Sequence, residues 1–242
     1  MSKNNYWVLI LKEERSKLFT SWTECEKEMS GASRVICRGF PTEDEAREFM
    51  DGKWRRKLIS KAAGTWLGEY KTKPGQLKPD TELDISKLSS GEYPKYCAYV
   101  DGSYDPRSKI YGFGVVFIHD GKIDKFYGSG KEEDLVNMGC GAGELLACME
   151  AIKHAEVLGL PELTIIYDSE LIQWAYRGGG EKMLIQAAGQ YIDDIREKMR
   201  IEVESIEGRS HKAGEISAKA LADKVANSLA DKLAKKGAGI VD

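Results

Sequence analysis

Apolar and polar positions change rhythm twice along the 242-residue chain. Tyr6–Leu11 is an apolar run that predicts a strand, and Leu18-Phe19-Thr20 predicts a second. Ser21, with Glu24 three residues on, predicts a capped helix running to Met29. Arg34–Phe40 predicts a third strand. Thr42 and Glu45 repeat the capping spacing and open a helix to about Met50. The first block (1–52) therefore reads as a small α+β unit with a marginal core of its own.

Residues 53–92 lose this periodicity. Lys71–Pro79 holds two prolines and a glycine, and Ser89-Ser90-Gly91 follows. The stretch reads as a linker with a short helix near Lys53–Ala63. From Tyr93 a longer pattern begins. Tyr96–Val100, Tyr111–Ile118 and Lys122–Gly128 predict three strands, the last two joined by the turn Asp120-Gly121. In Gly141–Leu158 the residues Leu145, Cys148, Met149, Ile152 and Ala155 recur at helical spacing. Leu163–Tyr167 predicts a buried strand. Glu170–Tyr176 and Lys182–Met199 predict helices, and Ile201–Ile206 a strand. A last helix is expected from about Ile216 to Lys236, stopped by Gly237. The order βββαβααβα implies an α/β domain over 93–242, with a mixed five-stranded sheet and helices packed on it.

Composition changes this picture little. The apolar and charged fractions, 42% and 31%, are those of an ordinary globular protein. No apolar run approaches the roughly 18–20 residues that span a bilayer. The first residues lack the apolar centre of a signal peptide. Five cysteines without Cys-x-x-Cys spacing argue against a disulfide framework or zinc ribbon and predict a cytoplasmic protein. Charge adds more. The net of −3 divides into −2 over residues 1–52, +7 over 53–78 and −8 over 79–242. The basic connector is either a solvated linker or a phosphate-holding segment, and the two readings are compatible.

Four acids carry candidate chemistry. Asp101 follows an apolar strand in Asp101-Gly102-Ser103, where an ordinary Asp-Gly turn is the alternative. Glu144 opens the long helix in Gly141-Ala142-Gly143-Glu144. The two glycines suggest tight helix–sheet contact, although a helix N-terminus also favours an acid there. Asp168 follows a second apolar strand, where it would also serve as a helix cap. Asp231 lies in the last helix, where a solvated position is the plain alternative. Four carboxylates brought to one side of a sheet repel one another and need divalent cations. Oxygen ligands favour Mg²⁺ or Mn²⁺, and two such ions suit phosphodiester displacement.

These motifs, with Gly143-Glu144, Tyr167-Asp168 and the run from Asn227 to Ala234 (Asn-Ser-Leu-Ala-Asp-Lys-Leu-Ala), resemble type 1 ribonuclease H over about residues 93–238. The resemblance implies an endonuclease that cuts the RNA strand of RNA–DNA hybrids and leaves 5′-phosphate and 3′-hydroxyl ends. It implies two Mg²⁺ (or Mn²⁺) ions. Asp101 would bridge them, Glu144 and Asp168 would complete one site, and Asp231 the other. His211, in Ser210-His211-Lys212-Ala213-Gly214, would be a loop histidine assisting turnover. Ser103, Gly143 and Asn227 would contact substrate.

Tyr6-Trp7-Val8, Phe19 to Cys25, Phe40-Pro41-Thr42 and Glu45 to Phe49 are similar to the hybrid-binding, viroplasmin-like domain that precedes many ribonucleases H. That similarity implies that Trp22 stacks on the DNA strand and that Arg38 lies on the binding strand. RNA–DNA hybrid is then the expected partner, with no membrane and no obligate protein partner. Three positions depart from the pattern. Cys37 and Gly39 replace an aromatic and a lysine, and Cys140 stands where asparagine is usual. His211 and Asp231 are also unusually far apart, which makes Asp223 a competitor for the fourth acid. A nuclease of the same fold acting on double-stranded RNA, and a non-catalytic hybrid-binding protein, are the alternatives.

Overall fold

The computed structural model describes residues 4–10, 16–30, 36–50, 61–72, 77–88, 93–180, 182–206 and 218–240. His211 and the expected linker helix before residue 61 lie outside these.

The N-terminal unit follows the predicted order: β1 (Tyr6–Ile10), β2 (Ser16–Phe19), α1 (Trp22–Met29), β3 (Ile36–Phe40) and α2 (Glu43–Met50). The three strands form an antiparallel sheet in the order β2-β1-β3, with Val8 opposite both Leu18 and Arg38. Among the described residues, Val8, Phe40, Ala46 and Phe49 form one small buried cluster, and Leu9 and Cys25 are buried besides, a modest core for so short a unit. Thr42 Oγ1 accepts from the Glu45 amide at 3.3 Å and caps α2. Ser21 stands at the N-cap of α1 but makes no side-chain cap bond, so the capping expected there is absent.

The second sheet has six strands in the order β4-β7-β6-β5-β8-β9. They are β4 (Lys78–Pro79), β5 (Tyr96–Asp105), β6 (Ile110–His119), β7 (Lys122–Gly130), β8 (Glu162–Tyr167) and β9 (Arg200–Ser205). The β5–β6–β7 meander is antiparallel, while β5–β8 and β8–β9 are parallel. This is the mixed α/β architecture expected, with one strand more. Asp120 and Gly121 both have positive φ, as a two-residue hairpin turn requires. Among the described residues the helices of this part are α3 (Lys61–Thr72), α4 (Glu133–Val136), α5 (Cys140–Val157), α6 (Glu170–Tyr176), α7 (Met183–Arg196) and α8 (Ala218–Ala238). The alternation of β5 separates two cores. Ala98 and Val100 pack with Leu145, Met149 and Ile152 of α5. Cys97 and Tyr99 pack with Leu229, Ala230 and Leu233 of α8. Among the described residues, no helix is long and apolar enough to cross a membrane.

The stretch read as linker differs most from expectation. Ala63, Leu67 and Tyr70 of α3 are buried in the α5 core, one helical turn or so apart. Tyr70 donates a 2.7 Å hydrogen bond to Glu150, and Lys71 pairs with Asp194 of α7. The sixth strand also comes from this stretch: β4 pairs with the edge of β7, where a proline is tolerated. Asp80 then binds Lys236 of α8 at 2.6 Å and the Leu83 amide at 2.7 Å. Burial opposes the Asp80 charge, but these bonds win and hold its carboxyl below the ordinary range. The two-residue β4 is too short to show as periodicity, and Gly64 and Gly68 weaken the helical pattern of α3.

Gly237 does not stop the last helix, which runs on to Ala238 and is followed by Gly239 at φ +76°. A Cβ on Gly237 would lie 2.2 Å from the Gly128 carbonyl oxygen, so close packing rather than termination explains that glycine.

Candidate functional site

Asp101 lies within β5 rather than at its end, because β5 continues to Asp105 alongside β6. The parallel neighbour β8, however, pairs only with Cys97–Tyr99. Asp101 therefore stands just past the last parallel rung, and Asp168 follows the end of β8. The backbone alternation places both on the α8 face of the sheet. This is the crevice beyond the carboxyl ends of parallel strands, where α/β proteins commonly hold ligands.

Glu144 arrives from the other face, one turn into α5. A Cβ on Gly102 would lie 2.3 Å from the Glu144 amide nitrogen, and one on Gly143 would lie 2.1 Å from the Gly112 carbonyl oxygen. Only glycines let the helix start rest on the strand backbone, and that contact sets Glu144 beside Asp101. Ligand oxygens of Asp101, Glu144 and Asp168 all lie within 4.8 Å of one another. Asp101 and Glu144 are 7% and 6% exposed, whereas Asp168 is open to solvent.

The electrostatics of this trio are unfavourable for charge. Burial, and then the Asp168 carboxylate, push Asp101 up to about 7, against the 2.7 Å bond it accepts from the Gly102 amide. Burial, and then Asp101 and Asp168, push Glu144 up to about 9, and the two side chains hydrogen-bond each other. Glu144 Oε2 is buried and has no hydrogen-bond partner among the described residues. An acid that is buried, repelled and orphaned on one oxygen fits a cation that is bound there. The hard oxygen donors suit Mg²⁺ or Mn²⁺.

The α8 helix is brought over this cluster by small residues. Ala226, Ala230, Ala234 and Ala238 recur every fourth position and are buried. Gly114 meets Ala230 and Ala234 in backbone contact, and Gly112 meets Ala234 and Ala238. This four-residue repeat and the glycines of β6 are functional signals that the sequence reading passed over. They set Asn227 and Asp231 at the crevice. Asn227 donates to Asp168 Oδ2 at 3.2 Å. Asp231 is outside the tight trio; its charge raises Asp101, and it is half-exposed and paired with Lys235 at 2.8 Å. The competitor Asp223 is 2% exposed and accepts a hydrogen bond from the Tyr99 hydroxyl. It faces into the core rather than toward the other acids. The cap of α6 is Ser169, so Asp168 does not fill the capping position.

Ser103 is on the Asp101 face of β5, half-buried opposite Gly112. Cys140 is exposed at the first position of α5. In the N-terminal unit Trp22 is 43% exposed, and its ring lies 6.1 Å from that of Trp7. Arg38 is half-buried, with its guanidinium 6.0 Å from the Phe40 ring. A Cβ on Gly39 would meet the Asn4 side chain at 2.5 Å, so Asn4 covers the place where a lysine is usual.

The C-terminal architecture and its acid cluster define a mixed-sheet α/β unit joined to a small α+β unit. Residues 13–50 match the family model described as the ribonuclease H1 N-terminal domain. No curated protein matches the chain. Among solved structures, it is similar to RNase H1 from the halophilic archaeon Halobacterium salinarum NRC-1, at 15% identity and a TM-score of 0.44, covering 61% of this chain and 100% of that one. It is similar to LC11-RNase H1 in complex with RNA/DNA hybrid, at 17% identity and 0.45, covering 60% and 97%. The N-terminal RNase H domain of Rv2228c from Mycobacterium tuberculosis, solved as a fusion with maltose-binding protein, gives 16% and 0.41, covering 60% and 94%.

Proposed function

We propose that this chain is a cytoplasmic ribonuclease H, an endonuclease that hydrolyses the RNA strand of RNA–DNA hybrids and leaves 5′-phosphate and 3′-hydroxyl ends. The observation that carries the reading is the convergence of Asp101, Glu144 and Asp168, with the orphaned Glu144 oxygen among them. The family match over residues 13–50 supports the hybrid as substrate. The odd number of cysteines, without Cys-x-x-Cys spacing, supports the compartment.

Two Mg²⁺ or Mn²⁺ ions held by Asp101, Glu144, Asp168 and Asp231 would supply charge stabilisation at the phosphate undergoing displacement. The chain's own residues do the rest. Asp101 and Glu144 concentrate charge where burial keeps bulk water from screening it. Asn227 holds the exposed Asp168 carboxylate by hydrogen bond, which limits its rotation. Gly102 and Gly143 leave backbone rather than side chains beside the acids, and Ser103 offers a hydroxyl two residues from Asp101. Contacts to the 2′-hydroxyl along a shallow groove distinguish RNA from DNA. His211 assists turnover. In the N-terminal unit the exposed Trp22 stacks on the DNA strand and Arg38 contributes positive charge.

The test is cleavage of labelled hybrid, duplex RNA and duplex DNA, each with Mg²⁺, with Mn²⁺ and with EDTA. Metal-dependent cutting confined to hybrid is expected. Cutting of duplex RNA instead would reassign the substrate, and binding without cutting in either metal would make the chain a non-catalytic binder.

A further inference from the structure

Two of the chain's three histidines converge on one carboxylate, far from the acid cluster. His119 ends β6, Asp124 lies on β7, and His154 is in the last turn of α5. The hairpin register makes His119 and Asp124 same-face neighbours, with Phe117 opposite Asp124 and His119 opposite Lys122. His119 Nε2 is 2.9 Å and His154 Nε2 3.1 Å from the same atom, Asp124 Oδ2. All three ligand atoms lie within 4.8 Å of one another. The His154 ring is fixed by Phe117 and Phe126, whose centroids are 4.9 and 4.5 Å away. Glu144 and His154 are ten residues apart on α5, which is roughly 15 Å along a helix.

We propose that His119, Asp124 and His154 form a second divalent-metal site, selective for a late first-row ion such as Zn²⁺. Imidazole nitrogens favour such ions, whereas the all-oxygen cluster at the other end of α5 favours Mg²⁺ or Mn²⁺. The spacing fits. Ligands about 2.0–2.1 Å from a tetrahedral ion lie roughly 3.3 Å apart, so the two 2.9–3.1 Å pairs open by a few tenths of an ångström, while the two imidazoles, within 4.8 Å of each other, close on the ion by rotation. The burial fits as well. The His119 side chain is 10% exposed and that of His154 22%, which makes them preorganised walls, while Asp124 at 37% leaves an approach from solvent and a fourth position for water. An ion here would clip β6, β7 and α5 together at the end remote from the acids. The same contacts without metal would make Asp124 only a shared acceptor for two imidazoles, and the experiment separates these cases.

The full-length protein is titrated with Co²⁺, read by visible absorption, and with Zn²⁺, read by calorimetry. To separate this site from the acid cluster, both titrations are repeated in an Asp101→Asn/Glu144→Gln double variant. One tetrahedral Co²⁺ equivalent, displaced by Zn²⁺ and kept in that double variant, is expected. His119→Gln/His154→Gln, and separately Asp124→Asn, should weaken it roughly tenfold or more while circular dichroism stays unchanged. Asp124→Asn keeps the acceptor geometry, so it reports on metal even where the histidine variant fails to fold. Loss of the Co²⁺ signal in the acid-cluster variant, or undiminished binding in Asp124→Asn, would overturn the proposal.

Discussion

Helix α5 carries two buried glutamates six residues apart, and they live in opposite environments. Glu150 is 2% exposed; it accepts from Tyr70 at 2.7 Å and from Lys153 Nζ at 3.3 Å. That ammonium also lies 3.4 Å from the Tyr70 ring centre and donates to the Tyr70 carbonyl. Glu144 is 6% exposed, has carboxylates for neighbours, and keeps one oxygen without a partner. Burial alone therefore does not mark a functional acid. What marks Glu144 is that its neighbours are other carboxylates, while Glu150 receives a hydroxyl and an ammonium on one oxygen. A buried acid left uncompensated costs stability and persists where a cation or substrate completes it.

The comparison breaks most visibly in catalysis. Asp101→Asn should lower hybrid cleavage roughly a thousandfold or more, the scale of several kcal/mol of lost transition-state stabilisation, with hybrid binding retained. Near-normal turnover in a single-turnover assay would remove Asp101 from the site. The fourth acid gives a sharper split. Asp231→Asn should cripple cleavage and leave the melting temperature nearly unchanged. Asp223→Asn should do the reverse, weakening the Tyr99 bond and costing about 1–2 kcal/mol of stability. If the two phenotypes exchange, Asp223 takes the role.

Stability should move in opposite directions at the two glutamates. Glu150→Gln should cost about 1–3 kcal/mol by chemical denaturation, because Lys153 and Tyr70 lose their shared anion. Glu144→Gln should raise the melting temperature of metal-free protein by roughly 2–4 °C at neutral pH. Its sign follows from linkage. A carboxyl raised in the folded state contributes fully below its unfolded value near ~4.3, and loses that contribution as pH rises through the folded one. For Glu144 the folded value is about 9, so the advantage of glutamine should widen steadily from pH 5 to pH 9. A gap that narrows with pH would contradict the arrangement. The smallest effect concerns the N-terminal unit. Trp22→Ala should raise the Michaelis constant for hybrid roughly fivefold, about 1 kcal/mol of stacking. Deleting residues 1–52 should do at least as much and flatten the salt dependence. A deletion reaching residue 78 would also remove α3 and β4, and so confound binding with folding.

Much of this was legible in the sequence because its signals are local. Alternation placed β5 and β8, and a carboxylate after each apolar run placed Asp101 and Asp168. Gly143 announced a helix start close against the sheet, whereas Gly141 packs against Leu171 of α6 instead. The parts that escaped depend on distant partners. Nothing near Tyr70 says that its hydroxyl meets Glu150, 80 residues away, so α3 looked like linker. Nothing near Asp223 says that Tyr99 is above it. The reach of β5 past Val100 was missed because Gly102 and Ser103 look like a turn, and only pairing with β6 keeps them extended. The alanines of α8 were visible as a four-residue repeat, but their meaning appears only when Gly112 and Gly114 are seen beneath them.

The most direct test sets the two glutamates side by side: Mg²⁺-dependent cleavage of RNA–DNA hybrid by Glu144→Gln and by Glu150→Gln, measured well below both melting temperatures. The account predicts that the first is inactive though more stable without metal, and the second active though less stable. Retained cleavage in Glu144→Gln, or lost cleavage in a folded Glu150→Gln, would contradict it.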